Sequence, residues 1–104
     1  MPVPLEEIRR AATEVAARNG AKRAILFGSY ARGTATDRSD IDLIFVEETS
    51  LPFLKRLDRY FDPLSDRLKA AVETLVYTPD ELERMKHRPF IRKALEEGVV
   101  LYES

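Results

Sequence analysis

Cysteine is absent from this chain of 104 residues, which excludes disulfides, thiolate metal sites and thiol nucleophiles together and suits a reducing compartment. No charge of one sign dominates, since 17 Lys and Arg stand against 18 Asp and Glu for a formal net charge of -1. Bulk nucleic acid binding by a general basic surface is therefore not expected. No apolar run approaches the roughly 18 residues of a membrane span, and Met1 to Glu7 has neither the basic nor the apolar region of a secretory leader. The expectation is a cytoplasmic protein that uses no membrane. Repeats, linkers and low-complexity segments are missing as well. An apolar content of 44% over 104 residues matches one compact domain spanning residues 1–104, with no room for a second. The one histidine, His87, sits in Lys86-His87-Arg88 with no Ser or Cys nucleophile arranged around it, so a solvated or capping role is expected.

What the chain does contain is an ordered series of elements. Leu5, Ile8, Ala12, Val15 and Ala16 recur at helical spacing after Pro4 and stop at Asn19-Gly20, where Gly20 can close a helix in the left-handed conformation. Ala24 to Phe27 reads as a short central strand and Asp40 to Val46 as a second, the two pairing across a turn at Gly28 to Gly33 and a polar loop at Thr34 to Arg38. From Leu51 the apolar positions Leu51, Leu54, Leu57, Tyr60, Phe61 and Leu64 follow the helical period, and Pro63 is expected to kink or end that helix. The stripe Leu54, Leu57, Tyr60, Phe61 reads as core, with part of it available as a partner surface. Ala71 to Tyr77 alternates as a third strand. Thr78-Pro79-Asp80-Glu81 then spells a helix start, with Thr78 as N-cap, Pro at the first position and Glu at the third. Pro89 to Glu97 reads as a last helix closed by Gly98, and Val99 to Tyr102 as a short strand or extended tail.

The chemistry concentrates between the first two strands. Asp40 and Asp42 are two apart, so on a strand both carboxylates leave one face, where they can share a pair of divalent cations. Magnesium takes a few carboxylate oxygens supplemented by water and substrate phosphate, and two such ions stabilise both oxygens of an in-line displacement at phosphorus. Taken alone, the Asp-x-Asp also fits a plain reading in which Ser39-Asp40 caps a turn and Asp42 is exposed at a sheet end. Gly28-Ser29 after a strand makes a turn whose N–H groups can face a phosphate, with Gly28 permitting close approach and the Ser29 hydroxyl adding a donor. The alternative is an ordinary strand-to-helix turn with Ser29 as N-cap. Arg32 is open between a phosphate contact and a pairing with Asp37, Asp40 or Glu73. Tyr30 is equally open between a nucleotide contact and packing.

The whole pattern, Gly28-Ser29-x-Ala31-Arg32-Gly33, five residues, then Ser39-Asp40-x-Asp42-Leu43, resembles the minimal nucleotidyltransferases of the DNA polymerase beta-like superfamily, and the order of elements follows that family over the entire chain. The resemblance implies an α/β (α+β) fold with a small mixed sheet flanked by helices. It also implies ATP as substrate with two Mg²⁺ ions, Gly28, Ser29, Arg32 and Ser39 on the nucleotide, and Asp40 and Asp42 on the metals. The family takes a third carboxylate from a later strand, which falls here on Glu73, with Asp66 in reserve; Glu73 on the solvent face of an edge strand is the alternative, decided by register. Stand-alone members pair with an all-helical HEPN ribonuclease toxin and act as its antitoxin by placing AMP on a toxin tyrosine. The resemblance thus implies a protein adenylyltransferase that releases pyrophosphate within a hetero-oligomer. Rival readings are a small-molecule or RNA nucleotidyltransferase and a non-catalytic antitoxin that neutralises its partner by binding.

Overall fold

The apolar spacing near the N-terminus produces α1 (Leu5–Asn19), which buries Ile8, Ala11, Ala12, Val15 and Ala16 on one side. It closes at Gly20, where φ is 74° and the N–H reaches the carbonyls of Ala16 and Ala17. The computed structural model describes residues 1–104. After α1 come β1 (Arg23–Phe27), α2 (Gly28–Arg32), β2 (Ile41–Val46), a 3-10 turn (Phe53–Arg56) and α3 (Asp58–Leu68). The chain then continues through β3 (Val72–Tyr77), α4 (Pro79–Met85), α5 (Pro89–Glu97) and β4 (Val99–Glu103).

The four strands form one mixed sheet in the order β3-β2-β1-β4. β1 runs antiparallel to both β2 and β4, and β2 runs parallel to β3. The expected mixed sheet with flanking helices is what the chain adopts. β1 and β2 are central and covered on both faces, which is why each reads as a nearly continuous apolar run. One face packs Leu26, Ile41, Leu43 and Phe45 against α1 and α3. The other packs Ile25, Phe27, Ile44 and Val46 against Leu82 of α4 and Ile91 and Ala94 of α5. Strand alternation therefore turns Asp42 toward the α4/α5 side. No helix is long and apolar enough to cross a membrane.

Several sequence expectations are corrected here. The segment after Leu51 is a 3-10 turn followed by α3, and Pro63 lies inside α3 without ending it. Proline at 63 cannot donate to the Arg59 carbonyl one turn earlier. That carbonyl instead accepts from the Asn19 side-chain amide at 3.2 Å, so the helix continues with its orphan acceptor satisfied. The stripe expected as core is split: Tyr60 is fully buried, whereas Leu54 is 76% exposed and Phe61 is also exposed. α5 ends at Glu97 with Gly98 as its C-cap, as expected, and Gly98 takes an extended conformation with φ of -67°. Its lack of a side chain serves close packing, because a Cβ there would lie 2.6 Å from the Ala94 carbonyl oxygen and 2.7 Å from Ile25 Cγ2. The start of α4 follows the expected capping box: Thr78 accepts from the Glu81 N–H while Glu81 accepts from the Thr78 N–H.

A buried polar cluster had no signal in the sequence. Arg56 donates to Leu51 O at 2.8 Å, to Val76 O at 3.1 Å, and to both Glu81 carboxylate oxygens at 2.6 and 3.1 Å. It ties the 3-10 turn, β3 and α4 together at the end of the sheet remote from Asp42. The Arg56 guanidinium, aided by the Thr78 N–H, holds the Glu81 carboxyl down at about 2. Close by, Glu47 is buried and accepts from Arg59 at 2.7 Å and from the Tyr60 hydroxyl, which locks α3 to the end of β2.

Candidate active site

Asp40 stands at the entry to β2 and Asp42 is its second residue. In the antiparallel ladder Asp42 faces Phe27, the last residue of β1, which brings Gly28 alongside its carboxylate. At Gly28 φ is +74°, and a Cβ built there would lie 2.3 Å from Asp42 Oδ2. Glycine is needed twice over at this turn, for the left-handed backbone and for the room that the carboxylate occupies. The close approach expected of a phosphate is made by Asp42.

The parallel ladder between β2 and β3 sets Asp42 directly beside Glu73. Carboxylate oxygens of Asp40, Asp42 and Glu73 lie within 4.8 Å of one another. Glu73 is exposed on β3, one of the sheet's two outer strands, so the edge position and the meeting with Asp42 hold together; Asp66 is not part of the cluster. Crowding has an electrostatic consequence. Burial, and then the nearby charges of Glu73 and Asp40, push the Asp42 carboxyl from 3.8 up to about 6, with Arg32 partly offsetting the rise. Three converging hard oxygen donors that repel one another suit divalent magnesium. When bound, such ions supply charge neutralisation and polarise phosphoryl oxygens.

The remaining candidates divide. Ser29 lies in the first turn of α2, whose N-cap is Phe27, so it is not the cap. Its carbonyl accepts from the Thr34 N–H at 3.0 Å, closing the turn that follows α2. Arg32 pairs with Glu97 at 3.2 Å, not with Asp37, Asp40 or Glu73. Asp37 pairs instead with the N-terminal ammonium at 2.6 Å. The Ser39 hydroxyl accepts from the Thr36 N–H at 2.8 Å, so it shapes the loop before Asp40. Tyr30 packs against the α1-side core, and its hydroxyl accepts from the Val3 N–H at 3.2 Å; packing is its role. His87 is exposed and outside the site.

Beside Asp42 opens a cavity of about 280 Å³ lined by Phe27, Gly28, Arg32, Asp42, Phe90, Lys93, Ala94 and Glu97. Four of these come from α5, and the sequence reading assigned none of them. One signal was available. Phe90 stands off the stripe formed by Ile91 and Ala94, and an aromatic off its helix's apolar face is exposed, here at 54%. It is held edge-on to Phe27 with ring centroids 5.7 Å apart.

A small mixed sheet that converges an Asp-x-Asp pair and a carboxylate from the adjacent parallel strand beside a Gly-Ser turn defines a nucleotidyltransferase. Residues 8–102 match the nucleotidyltransferase domain family, and the chain belongs to it. Among curated relatives it is 32% identical to "Putative protein adenylyltransferase MJ0126" of Methanocaldococcus jannaschii, over 91% of this chain and 90% of that one. Among solved structures it is 30% identical to a "putative minimal nucleotidyltransferase", with a TM-score of 0.69 over 91% of this chain and 90% of that one. The fold is also shared, at 22% identity and a TM-score of 0.71 over 96% of this chain and 75% of that one, with a toxin-antitoxin crystallised with AMP-PNP.

Proposed function

We propose that this nucleotidyltransferase moves AMP from ATP to a tyrosine hydroxyl of a partner HEPN ribonuclease toxin, and so acts as its antitoxin. The observation that carries the reading is the convergence of Asp40, Asp42 and Glu73 within 4.8 Å, the donor set that two-metal chemistry at phosphorus requires. The protein acceptor is supported by the relative named a protein adenylyltransferase. Assembly with a toxin is supported by the shared fold of the toxin-antitoxin bound to AMP-PNP.

In this reading Asp40 and Asp42 would hold Mg²⁺, which would supply charge neutralisation at phosphorus, and Gly28, Ser29 and Arg32 face the β- and γ-phosphates. Glu73, on the open edge of the sheet, would complete the carboxylate set on the acceptor side. The tyrosine oxygen bonds to the α-phosphorus as the bond to the pyrophosphate oxygen breaks, and the hydroxyl proton leaves to solvent past exposed Glu73. Ser39 acts by holding the loop that aims Asp40.

Mass spectrometry of the product of the adjacent gene, after incubation with this protein, Mg²⁺ and each nucleoside triphosphate, tests the reading. A gain of AMP on a tyrosine that disappears with Asp40→Ala/Asp42→Ala is the expected result. A partner that is bound and neutralised equally well by the doubly substituted protein, with no mass gain, overturns it.

A further inference from the structure

The cavity beside Asp42 gathers charge in an unusual arrangement. Arg32 reaches across to Glu97 on α5 at 3.2 Å, with both side chains still open to water at 44% and 32%. Lys93 lies four residues before Glu97, on the same face of α5, and lines the same cavity. It takes part in none of the molecule's ion pairs. Two cations, and a carboxylate paired with only one of them, therefore border Gly28 and Asp42.

The sheet order gives this cavity a side. In-line displacement sets the attacking and leaving oxygens on opposite sides of the phosphorus. Glu73 lies on β3, beyond β2, whereas Gly28 and the cavity lie toward β1, across Asp42 from Glu73. An acceptor arriving at the open Glu73 edge leaves the cavity side for the departing pyrophosphate.

We propose that Lys93 joins Arg32 in holding the β- and γ-phosphates, and that Glu97 is a stand-in anion which keeps Arg32 in position until phosphate displaces it. The proposal rests on the triphosphate reading above and adds α5 as the wall that selects for it. An ion pair as exposed as Arg32 and Glu97 is weak, while guanidinium and phosphate form some of the strongest charge-assisted hydrogen bonds. Exchange therefore runs toward phosphate. Once AMP has its one phosphate over Asp40 and Asp42, nothing remains to displace Glu97, so the arrangement favours ATP over AMP. As the acceptor oxygen bonds to the α-phosphorus, the electron pair of the breaking bond leaves on pyrophosphate, whose growing charge Lys93 and Arg32 offset.

Calorimetric binding of ATP and of AMP, with Ca²⁺ replacing Mg²⁺ to prevent turnover, tests this on the full chain. Lys93→Met is expected to weaken ATP about tenfold, the loss of one charge-assisted contact, and to leave AMP unchanged. Glu97→Gln is expected to tighten ATP by removing the competitor. Lys86→Met, at the other end of the molecule, controls for loss of one positive charge and is expected to bind as the parent. Lys93 is exposed, and circular dichroism confirms that each variant is folded. If ATP binds the parent and is lost with Asp40→Ala/Asp42→Ala while Lys93→Met and Glu97→Gln bind as the parent does, the inference is overturned and the nucleotidyltransferase reading stands. If the parent binds no triphosphate, both fall.

Discussion

Replacing Asp42 with Asn is expected to stabilise the metal-free protein at pH 7 while reducing nucleotide transfer to background. Burial and the charges of Glu73 and Asp40 raise this carboxyl from 3.8 to about 6. A rise of that size corresponds to about 3 kcal/mol against the charged form, and solvent screening at a half-buried site reduces this to about 1–2 kcal/mol. Asn keeps the shape next to Gly28 and removes the charge. For a chain of this size the gain corresponds to a Tm increase of roughly 5–10 °C. The sign follows from linkage: a raised folded-state pKa contributes stability below about pH 4 that is lost as pH climbs through 6. The advantage of the Asn variant is thus full above pH 6, shrinks between 6 and 4, and vanishes below. Thermal melts of both proteins in EDTA across that range measure it. Added Mg²⁺ is expected to narrow the gap, because the parent's carboxylates bind the ion in the folded state. A variant no more stable than the parent at pH 7 in EDTA, or a gap independent of pH, would refute the reasoning.

Further expectations follow from the same geometry. Gly28→Ala must adopt φ of +74° and displace Asp42 Oδ2 from 2.3 Å, so denaturant unfolding is expected to show a loss of at least about 1–2 kcal/mol, together with loss of transfer; an active variant melting with the parent contradicts this. Glu81→Gln leaves Arg56, 6% exposed, buried without its counter-charge, and is expected to cost about 3 kcal/mol at pH 7. Because the Glu81 carboxyl is lowered from 4.5 to about 2, its contribution is present above pH 4.5 and fades as pH falls toward 2, so urea midpoints of parent and variant are expected to converge in acid. Asn19→Ala removes the donor to the Arg59 carbonyl and is expected to cost about 1 kcal/mol, whereas Pro63→Ala restores a helix donor and should weaken the penalty of losing Asn19; additive effects in the double variant would contradict that coupling. Glu73→Gln is expected to abolish transfer and Asp66→Asn to leave it intact, since only Glu73 meets the other carboxylates; a pyrophosphate-release assay separates them.

Much of the fold was legible because its signals are local. Thr78-Pro79-Asp80-Glu81 specified a helix start through bonds that close within four residues. The two apolar runs, Ala24 to Phe27 and Ile41 to Val46, specified strands covered on both faces. Pro63 misled for a related reason: within its own segment it is a helix breaker, and the donor that relieves it, Asn19, lies on another helix. Leu54 and Phe61 misled because helical spacing marks a stripe but does not show whether anything covers it.

The sequence by itself determined the Gly28-Ser29 turn, the shared face of Asp40 and Asp42, and the elements carrying them, since dihedral preferences and strand alternation act over a few residues. Tertiary structure alone decided that Glu73 meets Asp42, because a one-residue slip of the parallel register would have turned it to the other face. It also decided that the room left by Gly28 belongs to the Asp42 carboxylate, and that Arg32 finds Glu97 across 65 residues of chain. Pairings of that kind depend on how the sheet and α5 pack, and packing is set by the sum of many distant contacts.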